Sequence, residues 1–345
     1  MHRSRKFPLL AFLVLFVCFA IPVPAQKAKK DEQTKRVGKA ALWRDPGSVG
    51  GRNMVFGQGG RLQAPKGKFA FLEEDKGGTQ PKFDVRDEQG TRWRVKLGPE
   101  SRSETAASRF VWVVGYHTDE DYYLPELRVE GMKKLRRGSR WVTPHGTVRG
   151  ARLERRDEDR KKIGEWNWSK NPFIGTKEMN GLRVMMALIN NWDLKNVNTA
   201  IYELPQGERY YVVSDLGGTF GKAGGLLTLS KGNVKHYAGS RFIRKVRLET
   251  ADFDMHNGPP ALEIFYPPLF FMRHRMKRIG EDIPLDHVRW IGGLLAQLSE
   301  KQISDAFYAS GYTPSEVRSF TTEMRERIRT LNGLTSRGSK IARYE

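Results

Sequence analysis

The chain has 345 residues, with 60 Lys and Arg against 39 Asp and Glu, a formal charge of +21, and 39% hydrophobic and 11% aromatic residues. That apolar content excludes global disorder, and the length suits one large or two smaller lobes better than one small module. No run of 18 apolar residues follows the amino terminus, which excludes a multispanning membrane protein.

Residues 1–25 read as an export signal. His2, Arg3, Arg5 and Lys6 make a basic start, Leu9 to Ile21 is an unbroken apolar stretch, and Val23-Pro24-Ala25 places small residues where a signal peptidase cuts. Cleavage near Ala25 carries away Cys18, the single cysteine, so the mature chain is expected to have neither disulfides nor a thiol nucleophile. The expected location is the periplasm or the outside of the cell. Residues 26–41 form a polar, lysine-rich linker with too little apolar surface to offset the entropy of ordering.

Strand signals dominate residues 42–125, the expected first lobe. Phe69 to Leu72, Lys82 to Arg86 and Thr91 to Leu97 read as strands, the last two joined through Asp87-Glu88-Gln89-Gly90 as an antiparallel hairpin. Gly98-Pro99 ends the last strand and opens a helix over Glu100 to Val114, with Ala106, Ala107, Phe110, Val111 and Val114 on one buried face. The acidic triplet Asp119-Glu120-Asp121 lacks the spaced ligands and glycine of a calcium loop and reads as a solvated turn. Residues 128–170 are basic and broken by Gly, Pro and Trp, the pattern of short strands and loops.

Helical signals dominate 126–334, the expected second lobe. Thr176 caps a helix in which Met179, Leu182, Met185, Met186 and Ile189 recur at helical spacing, and Asn190-Asn191-Trp192 stops it. Ile201 to Leu204 and Tyr210 to Val213 form a second hairpin around Pro205-Gln206-Gly207. Helices are expected over Asp286 to Leu298, Glu300 to Tyr308 and Ser315 to Leu331, the last begun by Thr313-Pro314-Ser315-Glu316, with a disordered tail over 335–345. The fold class is α+β, a strand-rich lobe followed by a helix-rich one.

The most informative stretch, Trp192-Asp193-Leu194-Lys195-Asn196-Val197-Asn198, follows an apolar helix and precedes a hairpin that ends in Ser214-Asp215-Leu216-Gly217. Here the sequence resembles the catalytic core of the protein-kinase-like superfamily, whose loops have the forms Asp-Leu-Lys-x-x-Asn and Asp-Phe-Gly. The resemblance implies a two-lobe fold with a nucleotide between the lobes. It puts Asp193 on the catalytic base, Lys195 on the loop lysine, and Asn198 and Asp215 on the metal ligands. It also puts Lys96, late in its strand, on the lysine that grips the nucleotide phosphates, with Glu104 or Glu100 on the next helix as its partner. Those two acids are four residues apart and share a helical face, so both remain open. ATP and Mg2+ are the implied cofactors. The chemistry is coherent, because phosphoryl transfer needs magnesium on hard oxygen ligands and a carboxylate to orient the attacking hydroxyl.

Several departures point to the atypical branches: the lipid-kinase-like, toxin-kinase, spore-coat-kinase and secretory-pathway-kinase groups. Trp192 replaces the usual Arg, Leu216 replaces the Phe, the gap from Lys96 to Glu104 is short, and no Ala-Pro-Glu follows Asp215. Phe56-Gly57-Gln58-Gly59-Gly60 stands as a loose version of the phosphate-covering loop.

Competing chemistries lack their residues. Leu216 and Ala223 stand where a P-loop over 216–223 needs Gly and Ser or Thr; His117, His145, His236 and His256 have no zinc-protease spacing; and there is no Gly-x-Ser-x-Gly. Basic clusters occur at Lys133 to Arg137, Arg152 to Lys162 and Arg241 to Arg247, with Trp141, Trp166 and Trp168 nearby. An exported protein meets anionic lipid and cell-wall polymer before nucleic acid, which ranks last as a partner. The expected function is therefore ATP- and Mg2+-dependent phosphoryl transfer to an unknown protein or small-molecule acceptor outside the cytoplasm. The alternative is a catalytically inactive kinase-like module whose basic surface binds an anionic envelope polymer or lipid. Scarce ATP in a bacterial periplasm favours that alternative.

Overall fold

The computed structural model describes residues 39–78, 80–157, 159–223, 229–255 and 274–341. The export signal, most of the linker and His256 lie outside them.

Three strands follow the expected pattern: β1 (Phe69–Asp75), β2 (Lys82–Asp87) and β3 (Arg92–Leu97). Their side chains alternate faces, so Phe83, Val85, Trp93, Val95 and Leu97 point to one side, where they are fully buried. Lys82, Asp84, Arg94 and Lys96 point to the other, paired across the ladder as Lys82 with Lys96 and Asp84 with Arg94. Helix α1 (Glu100–Val113) follows at once. Its expected apolar face is buried, but against the helical lobe and not the sheet: the Phe110 ring lies 5.2 Å from Phe307 and 6.1 Å from Phe220. The helix beside Lys96 is therefore anchored to the opposite lobe.

The strands β4 (Asp121–Glu130) and β5 (Thr147–Arg155) correct the expected boundary at residue 125. They close the sheet into a five-stranded barrel in the order β1-β2-β3-β5-β4, in which Phe69 meets Val129 and Lys96 meets Arg152. Residues 147–155, in the stretch read as short strands and loops of the second lobe, are thus a barrel strand of the first. Closure removes the unpaired edges an open sheet would expose.

Strand β6 (Lys161–Gly164) leads into the second lobe. Helix α2 (Lys177–Leu188) starts where expected, with Thr176 Oγ1 accepting from the Met179 N–H at 3.1 Å, and buries Met179, Leu182, Met185 and Met186. It stops because Asn190 takes the left-handed conformation (φ 49°), which asparagine tolerates better than most residues. The second hairpin is β7 (Thr199–Glu203) with β8 (Arg209–Val213), and the two-residue strand Ala40–Ala41 adds to β8 in parallel. Helices α3 (Leu285–Leu295), α4 (Glu300–Ala309) and α5 (Pro314–Ile341) complete the lobe. The last is helical beyond residue 334, into the stretch read as a tail. Its Thr313 and Glu316 form the anticipated cap, with the Thr313 N–H donating to Glu316 Oε2 at 2.8 Å. The molecule is α+β, strand-rich first and helix-rich second, as the sequence leads one to expect.

The acidic triplet is not a solvated turn. Asp119 and Asp121 are buried, and Asp121 takes Arg109 Nη1 and Arg152 Nε at 2.8 Å each. Arginines remote in sequence neutralise these acids, a circumstance that allows buried charge. Close by, the His117 ring stacks flat on Tyr210, with centroids 4.1 Å apart and planes at 7°. Burial, then the Arg44 and Arg160 charges, push the His117 pKa down to about 4 from 6.5. Between those values the unfolded chain binds the extra proton, so stability is full above pH 6.5 and falls on acidification through this window, by about 2–3 kcal/mol from this group. Urea unfolding at pH 7 and pH 4.5 measures the loss. His117→Phe should shrink the difference between the two pH values, and an unchanged difference would contradict the assignment.

Candidate active site

The end of β3, the first turns of α1 and the residues after β8 meet at Lys96. Its Nζ lies 2.8 Å from Glu104 Oε2, 3.0 Å from Glu100 Oε2 and 3.4 Å from Asp215 Oδ1. Both candidate glutamates therefore pair with the lysine, which the helical spacing permits because each turn of α1 presents one of them to the strand end. Burial opposes the Lys96 charge, but Glu104 and Asp215 hold its pKa above the usual range. Burial pushes Glu104 up to about 7 against the pull of Arg152 and Lys96. With Lys96 at 2.8 Å and Arg152 at 3.6 Å, the geometry favours the ionised pair.

The loop 192–198 is knitted to the segment carrying Asp215. The Asn198 backbone carbonyl accepts from the Ser214 and Asp215 N–H groups at 3.0 and 3.2 Å, and the Trp192 N–H donates to the Gly218 carbonyl. Asn198 Nδ2 donates to the Asp193 carbonyl at 2.7 Å, so its Oδ1 is not used in that bond. Asp193 and Lys195 form an ion pair at 2.8 Å, half-exposed beside this junction. Asp215 Oδ1 accepts from the Gly217 N–H at 3.0 Å and from Lys96; among the described residues Oδ2 has no hydrogen bond. Burial raises the Asp215 pKa, but Lys96 and the Gly217 N–H outweigh it and hold the carboxyl below its usual range. Gly217 and Gly218 are required by contact: a Cβ on the first would stand 2.9 Å from the Glu100 carboxylate, and one on the second 3.0 Å from Asp193 Cβ.

Glu100, Glu104 and Asp215 bring carboxylate oxygens within 4.8 Å of one another. That triad does not fit a metal, because the Lys96 ammonium already stands against all three. Asp215 Oδ2 and the Asn198 amide oxygen are hard oxygen donors outside that pairing and fit one better.

Three features of the site were not read from the sequence. Arg152, opposite Lys96 in the ladder, reaches Asp121 Oδ2 at 2.8 Å, Glu154 Oε2 at 2.9 Å and Glu104 Oε1 at 3.6 Å, so part of the basic cluster 152–162 is internal. Lys231 pairs with Glu100 and lies 5.3 Å over the Trp192 ring; burial, then the Lys96 charge, lower its pKa to about 8. The connection between β1 and β2 bends to the site, with Gln80 Nε2 donating to Glu100 Oε1 at 2.8 Å. Arg137 braces this connection by donating to the carbonyls of Lys76 and Gly78 at 2.9 and 2.5 Å. This connection carries Lys76-Gly77-Gly78, whereas the expected cover was Phe56-Gly57-Gln58-Gly59-Gly60. The latter forms a short turn against Arg109, Glu120 and Tyr122, and a Cβ on Gly57 or Gly59 would collide with those side chains. Two glycines between strands were the available signal.

A cavity of about 470 Å³ opens beside Asp215, between the outer face of β2 and β3 and the β7–β8 hairpin. Asp215, Ser214 and Val197 line it together with Arg156, Asp157 and Arg160 from the connection between β5 and β6.

No protein-family model matches the chain, and no curated protein matches it. Among solved structures it is similar to the crystal structure of a Helicobacter pylori proinflammatory kinase, CtkA, with 12% identity and a TM-score of 0.46 over 80% of this chain and 99% of that one.

Proposed function

We propose that the chain is a phosphotransferase that moves a phosphoryl group from a phosphate-chain donor, of which ATP is the familiar example, to a hydroxyl acceptor. The observation that carries this reading is the meeting of Lys96, Asp215 and the 192–198 loop, brought from strand, hairpin and loop far apart in the chain, with Asp215 and Val197 also lining the cavity. Each group has a task suited to its chemistry. The Lys96 ammonium, held in place by Glu104, faces the donor's phosphates. Asp215 and Asn198 would hold magnesium, which when bound neutralises phosphate charge. Asp193 takes the acceptor's proton as its oxygen bonds to phosphorus and the bond to the leaving phosphate breaks. Lys195, 2.8 Å away, holds the Asp193 carboxylate in place beside the loop.

Asp193→Ala separates binding from transfer. Asp193 touches the acceptor and not the donor, so calorimetry with Mg-ATP should give the wild-type affinity while transfer falls by about 10²-fold or more. Donor binding without any wild-type transfer would leave only the non-catalytic module.

A further inference from the structure

The cavity beside Asp215 has an unusual lining for a site that reads a nucleobase. Ten of its thirteen lining residues carry charge, six of them cations: Lys82, Arg94, Arg155, Arg156, Arg160 and Lys162. Pockets that seat a flat organic ring are lined mainly by apolar and aromatic side chains, because the ring's two faces must leave water. Here the apolar candidates are Val197 and the ring of Tyr202, and the Arg160 guanidinium lies 4.4 Å over the Tyr202 ring. The roof is Arg94, fixed by Asp84 Oδ1 at 2.8 Å and Asp75 Oδ2 at 2.9 Å, with Lys82 beside it. A base placed in this cavity would lie between charged groups.

Six cations against four carboxylates, Asp119, Glu154, Asp157 and Asp215, leave the lining net basic, which suits an anion. Guanidinium groups present several N–H donors in a fork matched to phosphate oxygens. Arg156 spends Nη1 on Glu154 at 2.7 Å, and the Arg160 Nε is buried with no hydrogen-bond partner among the described residues. The cations come from β2, β3, the end of β5, the connection after it and β6, so several phosphates of a chain could be met at once.

We infer that the cavity recognises the phosphate chain alone, and that an inorganic polyphosphate serves as donor. The inference rests on the phosphotransferase reading above. In the step, the acceptor oxygen bonds to the terminal phosphorus, and the bridging P–O bond breaks with its electron pair on the departing chain, now one phosphate shorter. The hydroxyl proton passes to Asp193. No oxidant, reductant or base is consumed.

The test is calorimetry on the full chain with magnesium and three probes: tripolyphosphate, ATP and GTP. Tripolyphosphate is expected to bind at least as tightly as ATP, with ATP and GTP within about threefold of each other, because no group reads the base. Arg160→Gln and Lys162→Gln should each weaken all three probes by a common factor of about tenfold for a lost charge-assisted contact. Thermal melting confirms that each variant is folded, and two variants guard against the loss of one. Polyphosphate shortening in the presence of a hydroxyl acceptor should accompany binding. If ATP binds tenfold or more tighter than tripolyphosphate, or outcompetes GTP by that margin, the base is read and the inference is overturned, while the phosphotransferase reading stands. If none of the probes binds, both fall.

Discussion

Asp215→Ala is expected to abolish phosphoryl transfer and to weaken binding of the magnesium-loaded donor at the same time. The carboxylate uses Oδ1 on the Gly217 N–H and Lys96, and Oδ2 remains for a cation. Losing a metal ligand's supporting partner costs 10–100-fold in affinity, so losing the ligand itself should cost about 10²-fold or more. Asp215→Asn is the sharper comparison: it keeps the size and an oxygen for Gly217 while removing the charge. Calorimetry and transfer assays should place Asn close to Ala. Donor affinity within about threefold of wild type in Asp215→Asn would show that the charge at 215 holds no metal. The contrast with Asp193→Ala, which should leave binding intact, makes the pair diagnostic.

The second large effect concerns stability. Arg152 is almost wholly inside the protein and supports three carboxylates, those of Asp121, Glu154 and Glu104. Arg152→Met keeps much of the volume and removes the charge. Arg109 still faces Asp121, Lys96 still faces Glu104 and Arg156 still faces Glu154, yet the cation shared by all three is gone. Breaking a buried ion network in this way destabilises by about 3–5 kcal/mol, because the remaining charges stay desolvated. Denaturant unfolding should show a midpoint shift of that size, and the deficit relative to wild type should shrink as the pH is lowered and the orphaned carboxylates protonate. A loss below about 1 kcal/mol would mean that the network is dispensable. Because Glu104 is both a member of this network and the partner of Lys96, the variant should also lower donor affinity in whatever fraction remains folded.

Charge composition misled in a consistent direction. Asp119-Glu120-Asp121 and Arg152 to Lys162 each read as solvated when taken alone, since unpaired charges belong in water. Folding places Asp121 opposite Glu154 in the β4–β5 ladder and brings Arg109 and Arg152 to the same carboxylate. No window of sequence contains both halves of that arrangement. The charged surface expected for an envelope partner is reduced accordingly, and Arg244 and Arg247 are likewise committed to Asp252.

The elements and most of the candidate site depend on short-range chemistry and were legible in the sequence. Alternation from Lys82 to Leu97 decides which residues enter the barrel, Thr176 and Asn190 bound α2, and the order of strand lysine, helix glutamate, loop and Asp-Leu-Gly brings Lys96, Glu104, Glu100 and Asp215 into contact. Three things were decided only by tertiary structure: that Thr147–Arg155 closes the barrel, that both glutamates share Lys96, and that the connection after β1 reaches the site through Gln80 while residues 56–60 pack elsewhere. Each depends on which distant backbone edge or opposite charge a segment meets, and that partner is chosen by the whole chain minimising unpaired strand edges and unpaired buried charge together.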